Sequence, residues 1–151
     1  MKKDAWFVKV ADTVNAGNLL KLTHFFKMNY KALITILLLI LSNTFMTIAW
    51  YGHLKFSEWK NFHKLSLIAI IFISWGIALF EYVFQVPANR IGYKANGGPF
   101  SLLQLKVIQE VITLIVFAAF TLIVFKTETF RINHIIAFIF LILAVYFMFK
   151  K

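Results

Sequence analysis

Apolar residues fill four long runs of this chain, and polar residues are swept into the tails and three short connections. The runs are Ala32–Tyr51, Leu65–Val86, Leu102–Phe125 and Ile132–Phe149. Each is long enough for a helix to cross a hydrocarbon core about 30 Å thick. They are apolar all round rather than in an amphipathic rhythm, which predicts helices set in lipid. The connections Gly52–Lys64, Pro87–Ser101 and Lys126–Arg131 are short, so sequential helices should run antiparallel. The third span has a marked start: Gly97-Gly98-Pro99 ends the loop, Ser101 is placed as N-cap, and Gln104 follows three residues later. That is a capping-box pattern, with Phe100 and Leu105 spaced for a hydrophobic staple. Pro87 restricts the residue before it, so the second span is predicted to stop at Val86. The expected fold is all-α, an integral-membrane bundle of four transmembrane helices over residues 28–151.

Composition narrows the class further. At 61% hydrophobic and 15% charged, the chain lacks the polar surface a soluble domain needs. Its 151 residues suit one domain. The first run is too long for the core of a cleaved signal peptide and no small-x-small site follows it, so it should persist as a helix. Net charge is +10, from 16 basic and six acidic residues. The basic residues lie in tails and loops, where they set orientation and meet anionic headgroups; nucleic acid is not expected as a partner. Without cysteine there are no disulfides, thiolate metal sites or cysteine nucleophiles. His24, His53, His63 and His134 lack a metal-binding spacing and are expected in loops or at headgroups. No phosphate loop, dinucleotide fingerprint or serine–histidine–acid arrangement occurs. Neither enzyme activity, cofactor nor metal site is expected.

An even number of spans puts both termini and the Pro87–Ser101 loop on one side. That side carries Lys2, Lys3, Lys9, Lys21, Lys27, Lys31, Arg90, Lys94, Lys150 and Lys151, against Lys55, Lys60, Lys64, Lys126 and Arg131 opposite. Ten against five predicts cytoplasmic termini. Without residues 1–27 the count is five against five, so the bundle has little bias of its own. In residues 1–27, Trp6, Phe7, Val10, Val14, Leu19, Leu22, Phe25 and Phe26 recur at near-helical spacing around Gly17. They predict a basic interfacial helix; the alternatives are a flexible tail or a start at Met28.

The polar residues inside the spans are the candidate site. A charge at the bilayer centre costs roughly 2.5–3.5 kcal/mol by insertion scales, so such residues usually face a bundle interior. Lys106, Gln109, Glu110 and Thr113 form one stripe of the third span, and Ser74, Ala78, Glu81 and Gln85 one of the second. Asn43, Thr47, Trp50 and Tyr51 form a third stripe, on the first span. Counted from Val86 and Ser101, Glu81 and Lys106 both sit about 7–8 Å below the same membrane face, with Glu110 at about 13 Å. One reading makes Glu110 a carboxylate that couples a proton or cation to the passage of a metabolite or cation. Glu81, Lys106, Gln109, Asn43 and Trp75 would then complete a substrate- or proton-binding site. The other is a non-transporting accessory or lipid-interacting module in which Glu81, Lys106 and Glu110 clamp two helices together. Asn43 suits an interhelical hydrogen bond. Trp50, Tyr51, Trp59 and Tyr93 suit interface anchors. Trp75 is too deep for that belt. Arg90 suits a solvated loop charge, with a loop gate or a phosphate ligand as alternatives.

The blocks Leu41–Lys55, Ser74-Trp75-Gly76-Ile77-Ala78-Leu79-Phe80-Glu81-Tyr82, Gln85–Tyr93 and Phe100–Glu110 resemble a bacterial family of small four-span proteins called DMT family proteins. That family is grouped with the drug/metabolite transporter superfamily. The resemblance covers about Met28 to Lys151. It implies a four-helix protein of the bacterial inner membrane, small-multidrug-resistance-like in architecture, acting as a transporter. A homodimer is expected, because four helices enclose little volume and a path forms most easily between protomers. Small multidrug resistance proteins bind cations at a glutamate in their first helix. The first span here has no acid, so that role would fall to Glu81 or Glu110.

Overall fold

The small and hydroxylated side chains of the first span decide how these helices pack. A computed structural model describes residues 3–59, 62–125 and 131–150, with the backbone alone for residues 3–16 and His63. Helix α1 is Lys3–Phe56, α2 Leu67–Gly92, α3 Leu102–Val124 and α4 Ile132–Phe149, with 3-10 turns at Phe62–Lys64 and Lys94–Asn96. Among the described residues, four helices are long and apolar enough to cross a membrane. The protein is an all-helical integral membrane protein; among the described residues the only extended pairing is an isolated bridge between Tyr93 and Phe100.

Helix α1 is the hub. Both α2 and α3 pack on it, while α4 packs on α3. Its buried stripe is Thr35, Leu39, Ser42, Asn43, Thr47 and Ala49, whereas Leu33, Leu37, Ile40 and Leu41 point outward. Lipid is as apolar as leucine, so burying leucine gains little; close backbone approach and hydrogen bonds drive association instead. The apolar core is correspondingly small, with Leu39, Ala88 and Ile112 surrounded by Ile36, Leu38, Ile108 and Val116. Phe45 adds a stack on Phe80 and Phe84, at centroid separations of 5.5 and 5.6 Å. Helix α4 has no buried residue among those described. Its Phe149 ring meets Phe100 edge-on at 6.5 Å.

Pro87 does not end α2, contrary to the sequence expectation: the helix continues to Gly92. A mid-helix proline loses one hydrogen bond and crowds the carbonyl four residues back. Membrane helices tolerate that when neighbouring helices support the next turn. Pro87 is exposed, and the support comes from Ala88 and Gly92, both buried. A Cβ on Gly92 would lie 2.7 Å from Thr35 Cγ2 and 2.8 Å from Leu105 Cδ2. Glycine there lets α1, α2 and α3 meet.

The chain then turns tightly into α3. Phe100 N–H donates to the Gly92 carbonyl at 2.9 Å, Lys94 N–H to Phe100 at 2.7 Å, and Gly98 N–H to Tyr93 at 2.9 Å. Gly97 takes the left-handed conformation, φ +72. Lys31 Nζ donates to the Gly97 carbonyl at 2.7 Å and ties α1 to this loop. The capping box forms as the spacing predicts. Gln104 N–H donates to Ser101 Oγ at 3.2 Å, and Ser101 N–H to Gln104 Oε1 at 2.9 Å.

Helix α1 has 54 residues, about 80 Å at 1.5 Å per residue. It passes unbroken through Gly17, so residues 3–27 are helical and continuous with the first span. Leu19, Leu20, Leu22, Phe25 and Phe26 are exposed along it. The side chains of Trp6, Phe7, Val10 and Val14, and residues 126–130 of the last connection, lie outside the described residues.

Candidate functional site

Three helices bring amides and hydroxyls together at one depth. Ser42 Oγ on α1 donates to Gln85 Oε1 on α2 at 2.8 Å, and Gln85 Nε2 donates to Gln109 Oε1 on α3 at 3.0 Å. Beside this relay, Asn43 Nδ2 donates to the Leu39 carbonyl at 2.8 Å, leaving Asn43 Oδ1 to accept from Thr113 Oγ1 at 2.5 Å. The single Thr113 proton has a second acceptor in reach, the Gln109 carbonyl at 2.8 Å. Gln85 lies seven residues before Gly92 and Gln109 eight after Ser101, so both are about 10–12 Å below the loop end of the bundle. A hydrogen bond at that depth has no water competitor, and each interhelical one contributes about 0.6–2 kcal/mol. A double-mutant cycle of Ser42→Ala and Gln85→Leu is therefore expected to show coupling of that size in unfolding measurements in detergent micelles. Strict additivity would mean that the relay does not hold α1 to α2.

The charged residues sit elsewhere than the sequence stripe suggested. Lys106 Nζ pairs with Glu110 Oε1 at 2.5 Å along α3, and their side chains are 65% and 51% exposed. They occupy the flank of α3 that faces away from α1, since the buried positions of that helix are Leu105 and Ile112. Glu81 makes no ion pair among the described residues, so the expected Glu81–Lys106–Glu110 clamp is not formed. The cause is the extended end of α2. Measured from Gly92, Glu81 is about 16 Å below the loop end, against about 7–8 Å for Lys106. Trp75 is 63% exposed on the outside of α2, away from the relay. Of the six expected site residues, the structure joins Asn43 and Gln109 in the polar centre and Lys106 to Glu110 outside it.

An open cleft connects the relay to the loop end. It lies between the last turns of α2 and the first turns of α3, with a volume of about 400 Å³. Asn89, Arg90, Tyr93 and Asn96 line its mouth; Lys106 and Gln109 line its inner part, and Leu102 and Leu105 give it an apolar wall. Gln109 thus belongs to both the relay and the cleft.

Ser42 and Thr35 escaped the sequence reading although both are fully buried. The available signal was the small-residue spacing Thr35, Ser42, Ala49, at intervals of seven, on one helix face. Asn89 and Tyr93 were missed as cleft residues because Pro87 placed them in a loop rather than on the last turns of a helix.

Comparison with curated proteins and with solved structures gives no match. Residues 35–149, from the first span to the end of α4, match the model of the family described as "Putative member of DMT superfamily (DUF486)", and the chain belongs to that family.

Proposed function

We propose that this protein is a small transporter of a charged metabolite, working as a homodimer in the bacterial cytoplasmic membrane, with Glu110 as the coupling carboxylate. The observation that carries the reading is the Lys106–Glu110 pair, standing half-exposed on α3 at hydrocarbon depth. Lipid cannot solvate such a pair, and charged side chains inside membranes face a bundle interior or a water-filled cavity and mark transport paths. A second copy of the chain packed on this flank encloses the pair between protomers. Membership of the DMT family supports the transport reading. The basic residues of the tails and the Pro87–Ser101 loop favour termini on the cytoplasmic side. The Lys31–Gly97 bond supports that count, since it puts the outer part of α1 and this loop on one side.

The test is a solid-supported-membrane current from proteoliposomes given pooled charged metabolites, with and without a proton gradient. Wild type is expected to give a current that Glu110→Gln loses at equal amounts of folded protein. A Glu110→Gln variant with wild-type current would reject the coupling role.

A further inference from the structure

We propose that the cleft between α2 and α3 is a binding site for a phosphoryl group carried on a small organic body. Every charged side chain in its lining is a cation: Arg90 at the mouth and Lys106 farther in. Arg90 forms no ion pair among the described residues. Lys106 gives one N–H to Glu110 and retains two, as an ammonium has three to give. Gln109, which also lines the cleft, spends Oε1 on Gln85 and keeps its two amide N–H groups for another acceptor. Asn89 and Tyr93 add an amide and a phenol that make no hydrogen bond among the described residues. Donors thus outnumber acceptors around a space with no acid in its walls. A planar guanidinium beside a point-charge ammonium suits three clustered oxygens, since arginine binds phosphate oxygens in pairs.

Size and shape limit the rest of the ligand. A cleft of about 400 Å³ exceeds the needs of a lone oxyanion and falls in the usual range for small-molecule sites. Leu102 and Leu105 offer the surplus space an apolar wall. The opening lies at the loop end of the bundle, at headgroup level, so the phosphoryl group could belong to a soluble metabolite or to a lipid. The inference deepens the transporter reading by naming its substrate class, yet binding is measurable without transport.

The experiment is equilibrium titration of phenyl phosphate into the full-length protein in an uncharged detergent, followed by calorimetry. Saturable binding is expected, weakened at least tenfold by Arg90→Gln and less by Arg90→Lys. Lys94→Gln, on the same surface but outside the cleft lining, should leave it unchanged. Equal losses for Arg90→Gln and Lys94→Gln would reduce the effect to general surface charge and overturn the site. Absence of saturable binding would overturn it as well. Repeating the titration in nanodiscs of phosphatidylcholine, with and without phosphatidylglycerol, distinguishes the sources. Competition by the anionic lipid assigns the cleft to a headgroup, and undiminished binding assigns it to a soluble phosphate. Should a cation drive a Glu110-dependent current while phenyl phosphate fails to bind, this inference falls and the transporter reading stands.

Discussion

Gly98→Ala is expected to destabilise the protein by about 3 kcal/mol or more, the upper end for overpacking a tight site. A Cβ added there would fall on the Gly92 carbonyl group and the Ile91 oxygen, closer than real Cβ contacts come. The obstacle is backbone, so no side-chain rotation relieves it. The turn would have to open, which breaks the Gly98–Tyr93 and Phe100–Gly92 hydrogen bonds and frees the ends of α2 and α3. Gly76→Ala is the matched control, because nothing lies within 4 Å of its Cβ position. In a helix interior that change should stabilise by up to about 1 kcal/mol. Unfolding midpoints of both variants in detergent micelles decide the matter, and a Gly98→Ala protein as stable as wild type would reject the close approach described here.

Glu110→Gln is expected to reduce transport at least tenfold, and two companion variants separate coupling from folding. Lys106→Met removes the partner 2.5 Å from Glu110 and leaves a lone acid at hydrocarbon depth. A lone charge there costs roughly 2.5–3.5 kcal/mol, so the single variant should lose stability. The double variant Lys106→Met/Glu110→Gln removes both charges and should regain much of it, since replacing a whole ion pair is often neutral. Its transport should stay lost. Recovery of transport together with stability would show that the pair only holds the structure, and the coupling role would have to be given up.

The spans were legible because lipid imposes long apolar runs, and the start of α3 because Ser101 and Gln104 satisfy end groups in a purely local way. Pro87 misled for a physical reason. Its steric restriction is local, but Ala88 and Gly92 are held in helix by residues of α1 and α3 that are remote in sequence. One misplaced boundary moved Glu81 by more than a helical turn in depth and made it look like a partner for Lys106. The polar centre was half legible. Helical periodicity singled out Asn43, Gln85, Gln109 and Thr113, which hydrogen bonds link in the structure. Periodicity fixes which residues share a face but not which face turns inward. Lys106 and Glu110 therefore ended on the flank of α3 while their neighbour Gln109 reached the centre.

The hydroxyls of Thr35, Thr44, Thr47 and Thr121 each donate to the carbonyl four residues back, but Ser42 donates across to Gln85 instead. Ser42, Gln85 and Gln109 are also groups that both give and take hydrogen bonds. Such a string has a polarity, and turning both amides over reverses it without losing a bond: Gln109 then gives to Gln85, Gln85 gives to Ser42, and Ser42 turns to the Leu38 carbonyl as the threonines do. In the observed sense Gln109, a lining residue of the cleft, keeps its N–H groups free of the relay; in the reversed sense it keeps its carbonyl oxygen free. The floor of the cleft can thus exchange attraction for an anion against repulsion by rotating two side chains, with no helix moving and no proton crossing. Infrared bands of isotope-labelled glutamine amides, compared with and without phenyl phosphate, would register that reversal; identical bands in both states would exclude it.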